Sequence, residues 1–198
     1  MPSRKKENPA KESSYDPIVF GATHIGKVRT GNEDSYRVLV GKDAPTEINA
    51  LMVVADGMGG HASGEVASAM TVDGLTSRLT RHPLESPITG EYYSHILGQT
   101  QNELNHDVYL AGRNPEHQGM GTTCTAAALK GYQLHIAHVG DSRGYILRSG
   151  KLVQITRAHS WVAEQVEADN LTSEEAEVHP YRNVVTRSIG TNQDVQVD

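Results

Sequence analysis

One short stretch, residues 51–65 with the sequence LMVVADGMGGHASGE, constrains the fold of this chain more than any other. It begins with five apolar residues that include two adjacent valines, and a run this short and β-branched favours a buried strand over a buried helix. The run ends at Asp56, and four glycines follow within eight residues before the spacing becomes helical. This order predicts a strand, a carboxylate at its end, a glycine turn and then a helix.

A carboxylate in this position has two interpretations. Asp56 can hold a hard cation, because the neighbouring glycines allow backbone carbonyls or amides to approach it. Alternatively, Asp56 only caps the helix that follows, since aspartate is a good N-cap residue. The stretch by itself leaves both interpretations open.

Composition excludes several classes of protein. The chain of 198 residues has a formal net charge of −6, whereas a nucleic-acid-binding protein needs a basic face. The single cysteine, Cys124, rules out a disulfide framework and suits a reducing compartment. No apolar run approaches the roughly 18 residues that span a bilayer, and no signal-peptide core follows the basic N-terminus. We therefore expect a soluble, cytoplasmic protein that binds neither nucleic acid nor membranes.

Polarity divides the chain into a tail and one domain. Residues 1–16 are polar, charged and without periodicity, which predicts a disordered tail, and residues 17–198 form the predicted domain. Strands are predicted at 18–24, 35–40, 122–129, 132–139, 143–147, 151–155, 184–186 and 195–197. Helices are predicted at about 62–82, 91–110, 161–168 and 171–178. Because the strands are grouped apart from the helices, the pattern indicates an α+β fold.

Charged side chains are concentrated in the loop between the first two predicted strands. Arg29 has the planar guanidinium that suits bidentate binding of a phosphate, and Glu33 and Asp34 are oxygen donors for a metal or its waters. A polar hairpin loop with an internal ion pair is the alternative. Further along, Asp141 again stands beside a glycine at a predicted strand end.

Six motifs taken in order resemble those of the metal-dependent PP2C (PPM) protein phosphatases, in their bacterial form. They are Val28-Arg29 with Asn32-Glu33-Asp34-Ser35, Asp56-Gly57-Met58-Gly59-Gly60-His61, Gly121-Thr122-Thr123, Val139-Gly140-Asp141-Ser142-Arg143, His159-Ser160, and Arg182-Asn183 to Gly190. The resemblance covers residues 18–190. It implies a four-layer α-β-β-α sandwich with a two-metal site at one edge of the paired sheets.

The resemblance also implies a function and a set of site residues. The function is hydrolysis of phosphoserine and phosphothreonine in proteins by attack of a metal-bridging water, opposing a serine/threonine kinase. Asp56 would bridge two Mn²⁺ or Mg²⁺ ions, and the carbonyl of Gly57 would ligate one of them. Asp141 would ligate a third ion, and Arg29 would hold the substrate phosphate. Glu33 and Asp34 would bind metal-coordinated waters.

The sequence departs from the family pattern at three places. Met58 stands where eukaryotic relatives have a histidine thought to be the general acid, so no general acid is assigned. The Asp-His pair of the family is Ala158-His159 here, which removes a carboxylate. Two metal-binding aspartates expected near the C-terminus are not found, because Asp73-Gly74 lies in a predicted helix and Asp169-Asn170 precedes no apolar run.

These departures predict a domain that is incomplete at its C-terminus, and a chain with little or no activity by itself. The alternative function is therefore a binding or regulatory module with the phosphatase fold but without turnover. Three other classes of enzyme are excluded, namely cysteine-based phosphatases, P-loop kinases and zinc proteases. Cys124 has no nearby arginine to cradle a phosphate, the glycine turn lacks the Gly-Lys-Ser/Thr of a P-loop, and none of the ten histidines forms His-Glu-x-x-His.

Overall fold

The central element is strand β2, Ala50–Met58, which the sequence predicts from its valine-rich run. The computed structural model describes residues 17–59, 63–81 and 90–198. The predicted tail (residues 1–16), residues 60–62, which include Gly60 and His61 of the second motif, and residues 82–89 lie outside the described residues. Within them, β2 pairs antiparallel with β1, Asp34–Val40, on one side and with β4, Cys124–Lys130, on the other.

Two further strands complete the main sheet. The short strand β3, Gly121–Thr122, pairs with the last residues of β2, and β5, Gln133–Val139, pairs with β4. The order along the sheet is β1-β2-β4-β5. Because β2 is hydrogen-bonded on both sides, its end is held firmly, and this end carries Asp56.

Two long helices cover one face of this sheet. Helix α1, Ser63–Arg81, packs on β1 and β2, and α2, Gly90–Ala111, packs on α1 and β5. The core between sheet and helices contains Leu51, Val53, Ala55, Leu75, Leu79, Leu97, Leu104, Val108, Cys124, Ala126, Ala128 and Val139. Ala126 and Ala128 of β4 point inward at alternate positions, and their small side chains leave room for the helices. Both helices match their predicted extents.

The second half of the chain adds smaller elements beside the sheet. Strands β6, Tyr145–Arg148, and β7, Lys151–Gln154, form a separate hairpin whose turn residues Ser149 and Gly150 both have positive φ. Helix α3, Trp161–Glu167, is capped by the Ser160 side chain as predicted, and α4, Ser173–Val178, begins with a capping box. The α+β class is thereby confirmed. No helix in the described part of the chain is long and apolar enough to cross a membrane.

Three predicted strands are wrong. Residues 18–24 are irregular: the Tyr36 hydroxyl donates to the Gly21 carbonyl at 3.1 Å, and Ile18 is fully exposed. In 184–186 only Val185 forms a bridge, with Ser160, and 195–197 contains no strand. Alternating apolar residues indicate a strand, but a strand also needs successive backbone partners. Within the described residues, the last two segments make only single pairs, Val185 with Ser160 and, just after residue 197, Asp198 with His138.

Replacement of Asn105 tests how the loop after Ser188 is held against α2. Its buried side chain donates to the carbonyls of Asn192 and Gln193 and accepts from the Gly190 amide. Asn105→Ala leaves the buried Gly190 amide without its partner and removes the donor to two part-buried carbonyls, so we expect the free energy of unfolding to fall by about 2 kcal/mol in urea denaturation. Asn102→Ala, at an exposed position of the same helix, is the control and should change stability little. Equal stabilities of the two variants would contradict this account of the loop.

Candidate active site

Two of the predicted acidic residues meet at one edge of the main sheet. The register of β1 and β2 places Asp34 directly opposite Asp56, so their side chains share a face. Asp34 raises the pKa of the Asp56 carboxyl group through its charge and through a side-chain hydrogen-bonding contribution. The sequence predicts that Asp34 reaches a metal directly or through its waters, and the structure places it beside Asp56.

Asp141 reaches the same place from the turn that follows β5. Its charge acts on the Asp56 carboxyl group across the sheet edge. The turn depends on Gly140, whose φ is +115° and where a Cβ atom would lie 2.5 Å from the Cβ of Thr123. Only glycine allows the Asp141 turn to come this close to the strand beside Asp56.

The pKa of Asp56 is raised by its burial and by the neighbouring carboxylates. Partial burial is the largest cause of the rise in pKa from its ordinary value of 3.8 to about 6, the charges of Asp34 and Asp141 come next, and the charge of Arg29 lowers the pKa. The carboxyl group is still open to solvent on one side. Asp34, Asp56 and Asp141 therefore form a carboxylate cluster in which repulsion exceeds the compensation from Arg29.

Arg29 takes part in both interactions that the sequence suggested for its loop. Its Nη1 lies 3.3 Å from Oε2 of Glu33, which is the internal ion pair of the simpler interpretation. The guanidinium group also lowers the pKa of Asp56, so it is near the carboxylate cluster as well. The Arg29 side chain is 74% exposed and the Glu33 side chain 20%. Arg29 is therefore open to a ligand at the site, while Glu33 already has a cationic partner.

Gly57 is fixed by close packing against the start of α1. Its amide donates to the Glu33 carbonyl at 3.1 Å, and a Cβ atom at this position would lie 2.0 Å from the Gly64 carbonyl oxygen. The Ser68 hydroxyl donates to the same Glu33 carbonyl at 2.6 Å. Since Asp56 belongs to β2 and lies well before Ser63, where α1 begins, the interpretation of Asp56 as an N-cap is wrong.

The donor atoms of the cluster suit a hard divalent cation in kind. Carboxylate oxygens are the ligands that Mg²⁺ and Mn²⁺ prefer, and a bound cation would relieve the repulsion that Asp34 and Asp141 exert on Asp56. Among residues 17–59, 63–81 and 90–198, no group of three or more His, Cys, Asp or Glu side chains is arranged closely enough to hold an ion. The cluster therefore fits the chemistry of a divalent metal but not a closed coordination shell.

Sequence reasoning missed the contacts that hold the cluster together. Thr123 was quoted only as part of a motif, yet its hydroxyl accepts from the Asp56 amide at 2.9 Å. His159 is buried, and its Nδ1 accepts from the Gly140 amide at 3.0 Å. Asp198 Oδ2 lies 3.0 Å from His159 Nε2. Gly64 and Ser68 are four residues apart and therefore lie on one face of α1, and two small residues on one face indicate that this face can approach the site closely.

Cys124 is placed where the sequence predicts. It is buried in β4, and burial raises the pKa of its thiol to about 12. A thiol with such a pKa supplies almost no thiolate at neutral pH, so cysteine-based phosphatase chemistry is excluded at this residue.

Comparisons with known proteins show which family the chain is similar to. The sequence model of the family described as Protein phosphatase 2C matches residues 20–194. The chain is 36% identical over 177 residues to the protein phosphatase PhpP of Streptococcus pneumoniae, covering 89% of this chain and 69% of PhpP. It is 38% identical over 177 residues to the serine/threonine phosphatase stp of Listeria monocytogenes, covering 89% of this chain and 68% of stp.

Solved structures agree in fold. The serine/threonine phosphatase Stp1 of Staphylococcus aureus superposes with a TM-score of 0.78 at 38% identity, covering 87% of this chain and 66% of Stp1. The S. agalactiae serine/threonine phosphatase superposes with a TM-score of 0.80 at 36% identity, covering 89% of this chain and 70% of that one. The predicted PP2C-like fold is thus confirmed. The chain spans about two thirds of the length of these relatives.

The raised pKa of Asp56 predicts how stability depends on pH in metal-free protein. Between about pH 4 and about pH 6 the folded protein keeps a proton on Asp56 that the unfolded chain has released, so this group's stabilising contribution is lost as pH rises through that window. Asp56→Asn removes the repulsion. It should therefore be more stable than the unmodified chain at about pH 7 and nearly equal to it at about pH 4, in urea denaturation with a chelator present.

Asp194→Asn is the control, since Asp194 is exposed and distant in sequence from the cluster. It should leave stability unchanged at both pH values. If Asp56→Asn is no more stable than the control at neutral pH, the repulsion among the carboxylates is weaker than the geometry implies.

Proposed function

The chain belongs to the protein phosphatase 2C family, and from that premise we propose that it is a serine/threonine protein phosphatase whose reaction takes place beside Asp56 with bound divalent ions. The observation that carries this proposal is the cluster of Asp34, Asp56 and Asp141 with Arg29 at its border. The proposed substrates are proteins phosphorylated on serine or threonine, and the proposed physiological counterpart is a serine/threonine kinase. We place the protein in the cytoplasm because its single cysteine suits a reducing compartment.

The proposed ions are Mn²⁺ or Mg²⁺. Asp56 and the carbonyl of Gly57 would hold two of them, and Asp141 would hold a third. When bound, such ions acidify a coordinated water and neutralise charge on the phosphoryl oxygens. The repulsion at Asp56 supports this assignment, because a carboxylate crowded by two others gains more from a dication than an isolated one does.

The side chains around Asp56 have separate proposed roles. Asp34, opposite Asp56, would accept hydrogen bonds from coordinated waters and so orient them. Glu33 would do the same less directly, since it is already paired with Arg29. Arg29 has a guanidinium group with five N–H donors, and only its Nη1 contacts Glu33, which leaves donors for two phosphate oxygens.

A second candidate function is a binding module that recognises phosphorylated proteins without turning them over. It is favoured by one observation, namely that the described residues contain no closed group of three metal ligands. Release of inorganic phosphate from a phosphothreonine peptide in the presence of Mn²⁺ separates the two candidates. A phosphatase releases phosphate with every turnover, whereas a binding module retains the phosphorylated peptide.

Asp56 should be essential for metal binding. Asp56→Asn removes the charge of the proposed bridging carboxylate, so Mn²⁺ binding measured by calorimetry and Mn²⁺-dependent hydrolysis of p-nitrophenyl phosphate should both be lost. Asp73→Asn is a matched control, because Asp73 also precedes a glycine but lies exposed in α1, paired with Arg37. Retention of Mn²⁺ binding by the Asp56 variant would remove the basis for the site assignment.

Arg29 should bind the phosphate and not the metal. Arg29→Ala should raise KM at least about tenfold for a phosphothreonine peptide with a smaller change in kcat, because the lost interaction is made with the substrate. Its Mn²⁺ affinity should stay unchanged. Arg148→Ala, at an exposed position of β6, should alter neither quantity. A collapse of Mn²⁺ affinity in Arg29→Ala would instead show that Arg29 supports Glu33 and the metal-binding loop.

A further inference from the structure

Thr123 occupies an irregular position in the central sheet. The pairing of β2 with β3 and of β2 with β4 follows one continuous register, which places Thr123 directly opposite Asp56. The Thr123 amide donates to the Asp56 carbonyl at 2.9 Å, as a regular antiparallel pair requires. The return bond is different, because the Asp56 amide donates to the side-chain Oγ1 of Thr123, also at 2.9 Å.

The neighbouring residue, Thr122, provides a hydrogen-bond donor near the Thr123 carbonyl. The Thr122 hydroxyl has one hydrogen to donate, and two acceptors lie within its reach, the Thr123 carbonyl at 2.9 Å and the Asp56 carbonyl at 3.0 Å. The Thr123 carbonyl therefore has a donor other than the Asp56 amide within hydrogen-bond distance. On the side of β2 that faces β3 and β4, the ladder is interrupted at the Asp56–Thr123 pair, where a side-chain hydroxyl replaces a backbone carbonyl as the acceptor.

The same hydroxyl also reaches the turn that carries Asp141. Oγ1 of Thr123 lies 2.9 Å from Oγ of Ser142, the residue after Asp141. On its other side, the Thr123 side chain fills the space over Gly140, where a Cβ atom would lie 2.5 Å from Cγ2 of Thr123. One side chain thus contacts the backbone of Asp56 and both neighbours of Asp141.

We propose that Thr123 is a positioning residue that sets the separation between Asp56 and Asp141. The proposal rests on the proposed function, in which these two aspartates hold metal ions. The hydroxyl ties the end of β2 to Ser142, and the methyl group supports Gly140, so the two carboxylates are kept in one arrangement. Thr123 is 1% exposed, so no solvent water takes the place of its hydroxyl.

The hydroxyl and the methyl group can be removed separately. Thr123→Val keeps the shape of the side chain but leaves the buried Asp56 amide without a partner, while Thr123→Ser keeps the hydroxyl and loses the methyl group. We expect Thr123→Val to weaken Mn²⁺ binding about tenfold in calorimetry and to lower kcat more than it raises KM. Thr123→Ser should restore Mn²⁺ affinity to within about twofold of the original. Thr76→Val, which removes a buried hydroxyl from α1, should leave Mn²⁺ affinity unchanged.

A second variant covers the case in which Thr123→Val does not fold. Ser142→Ala cuts the same link from the partly exposed side and should weaken the Mn²⁺ site at Asp141 while leaving the Asp56 amide bonded. Unchanged Mn²⁺ affinity in Ser142→Ala, or in a folded Thr123→Val, would overturn the proposal. An equal loss in Thr123→Ser and Thr123→Val would do so too, since it would show that packing alone matters. Asp56→Asn serves as the reference: if it binds Mn²⁺ normally, the proposed function fails, and the failure is not specific to Thr123.

Discussion

The partial burial of the Asp56 carboxylate, together with its repulsion by Asp34 and Asp141, is the constraint that the rest of the structure has to satisfy. Like charges placed directly opposite on neighbouring strands destabilise a sheet, and here Asp34 and Asp56 form such a pair at the end of its central strand. The protein holds them there because β2 is hydrogen-bonded along both edges and its inward residues Leu51, Val53 and Ala55 are almost completely buried under the helices. The stability lost at the carboxylates is offset by the core directly behind them, and a bound cation would turn the repulsion into attraction.

Close backbone packing is the second requirement, and glycines at two points provide it. Gly57 brings the end of β2 against the first turn of α1, where a Cβ atom would overlap the Gly64 carbonyl. Gly140 brings the Asp141 turn against Thr123. At both points the space that a side chain would fill is taken by backbone or by a buried side chain that hydrogen-bonds to the site. The glycines in the motifs therefore serve to bring three separate segments within reach of one another.

The parts of this architecture that the sequence predicts are those determined by local pattern. The run of valines before Asp56 and the spacing of Leu75, Leu79, Leu104 and Val108 depend on neighbours a few residues away, and the sequence predicts α1 and α2 with nearly correct bounds. It also predicts β2, although the strand continues through Gly57 to Met58, where the sequence predicts a glycine turn. Residues 18–24 show the same apolar alternation but form no strand, because a strand depends on a partner that is distant in sequence. The bond between the Asp56 amide and the Thr123 hydroxyl could not be predicted either, since a motif shows that two residues occur together but not which atom replaces a backbone carbonyl.

The departure at Ala158 shows how a distant residue can compensate for a change in a motif. The Gly140 amide donates to His159 Nδ1, so this nitrogen carries no hydrogen, and in the neutral ring the hydrogen is on Nε2. Nε2 lies 3.0 Å from Asp198 Oδ2 and 3.1 Å from Arg187 Nη1, which donates to the other Asp198 oxygen at 2.7 Å. The carboxylate that orients His159 therefore comes from Asp198, far along the chain, and not from position 158, where Ala158 is buried. Because His159 holds the amide of Gly140, Asp198 acts through it on the turn that carries Asp141, and this turn has a supporting carboxylate although position 158 carries none.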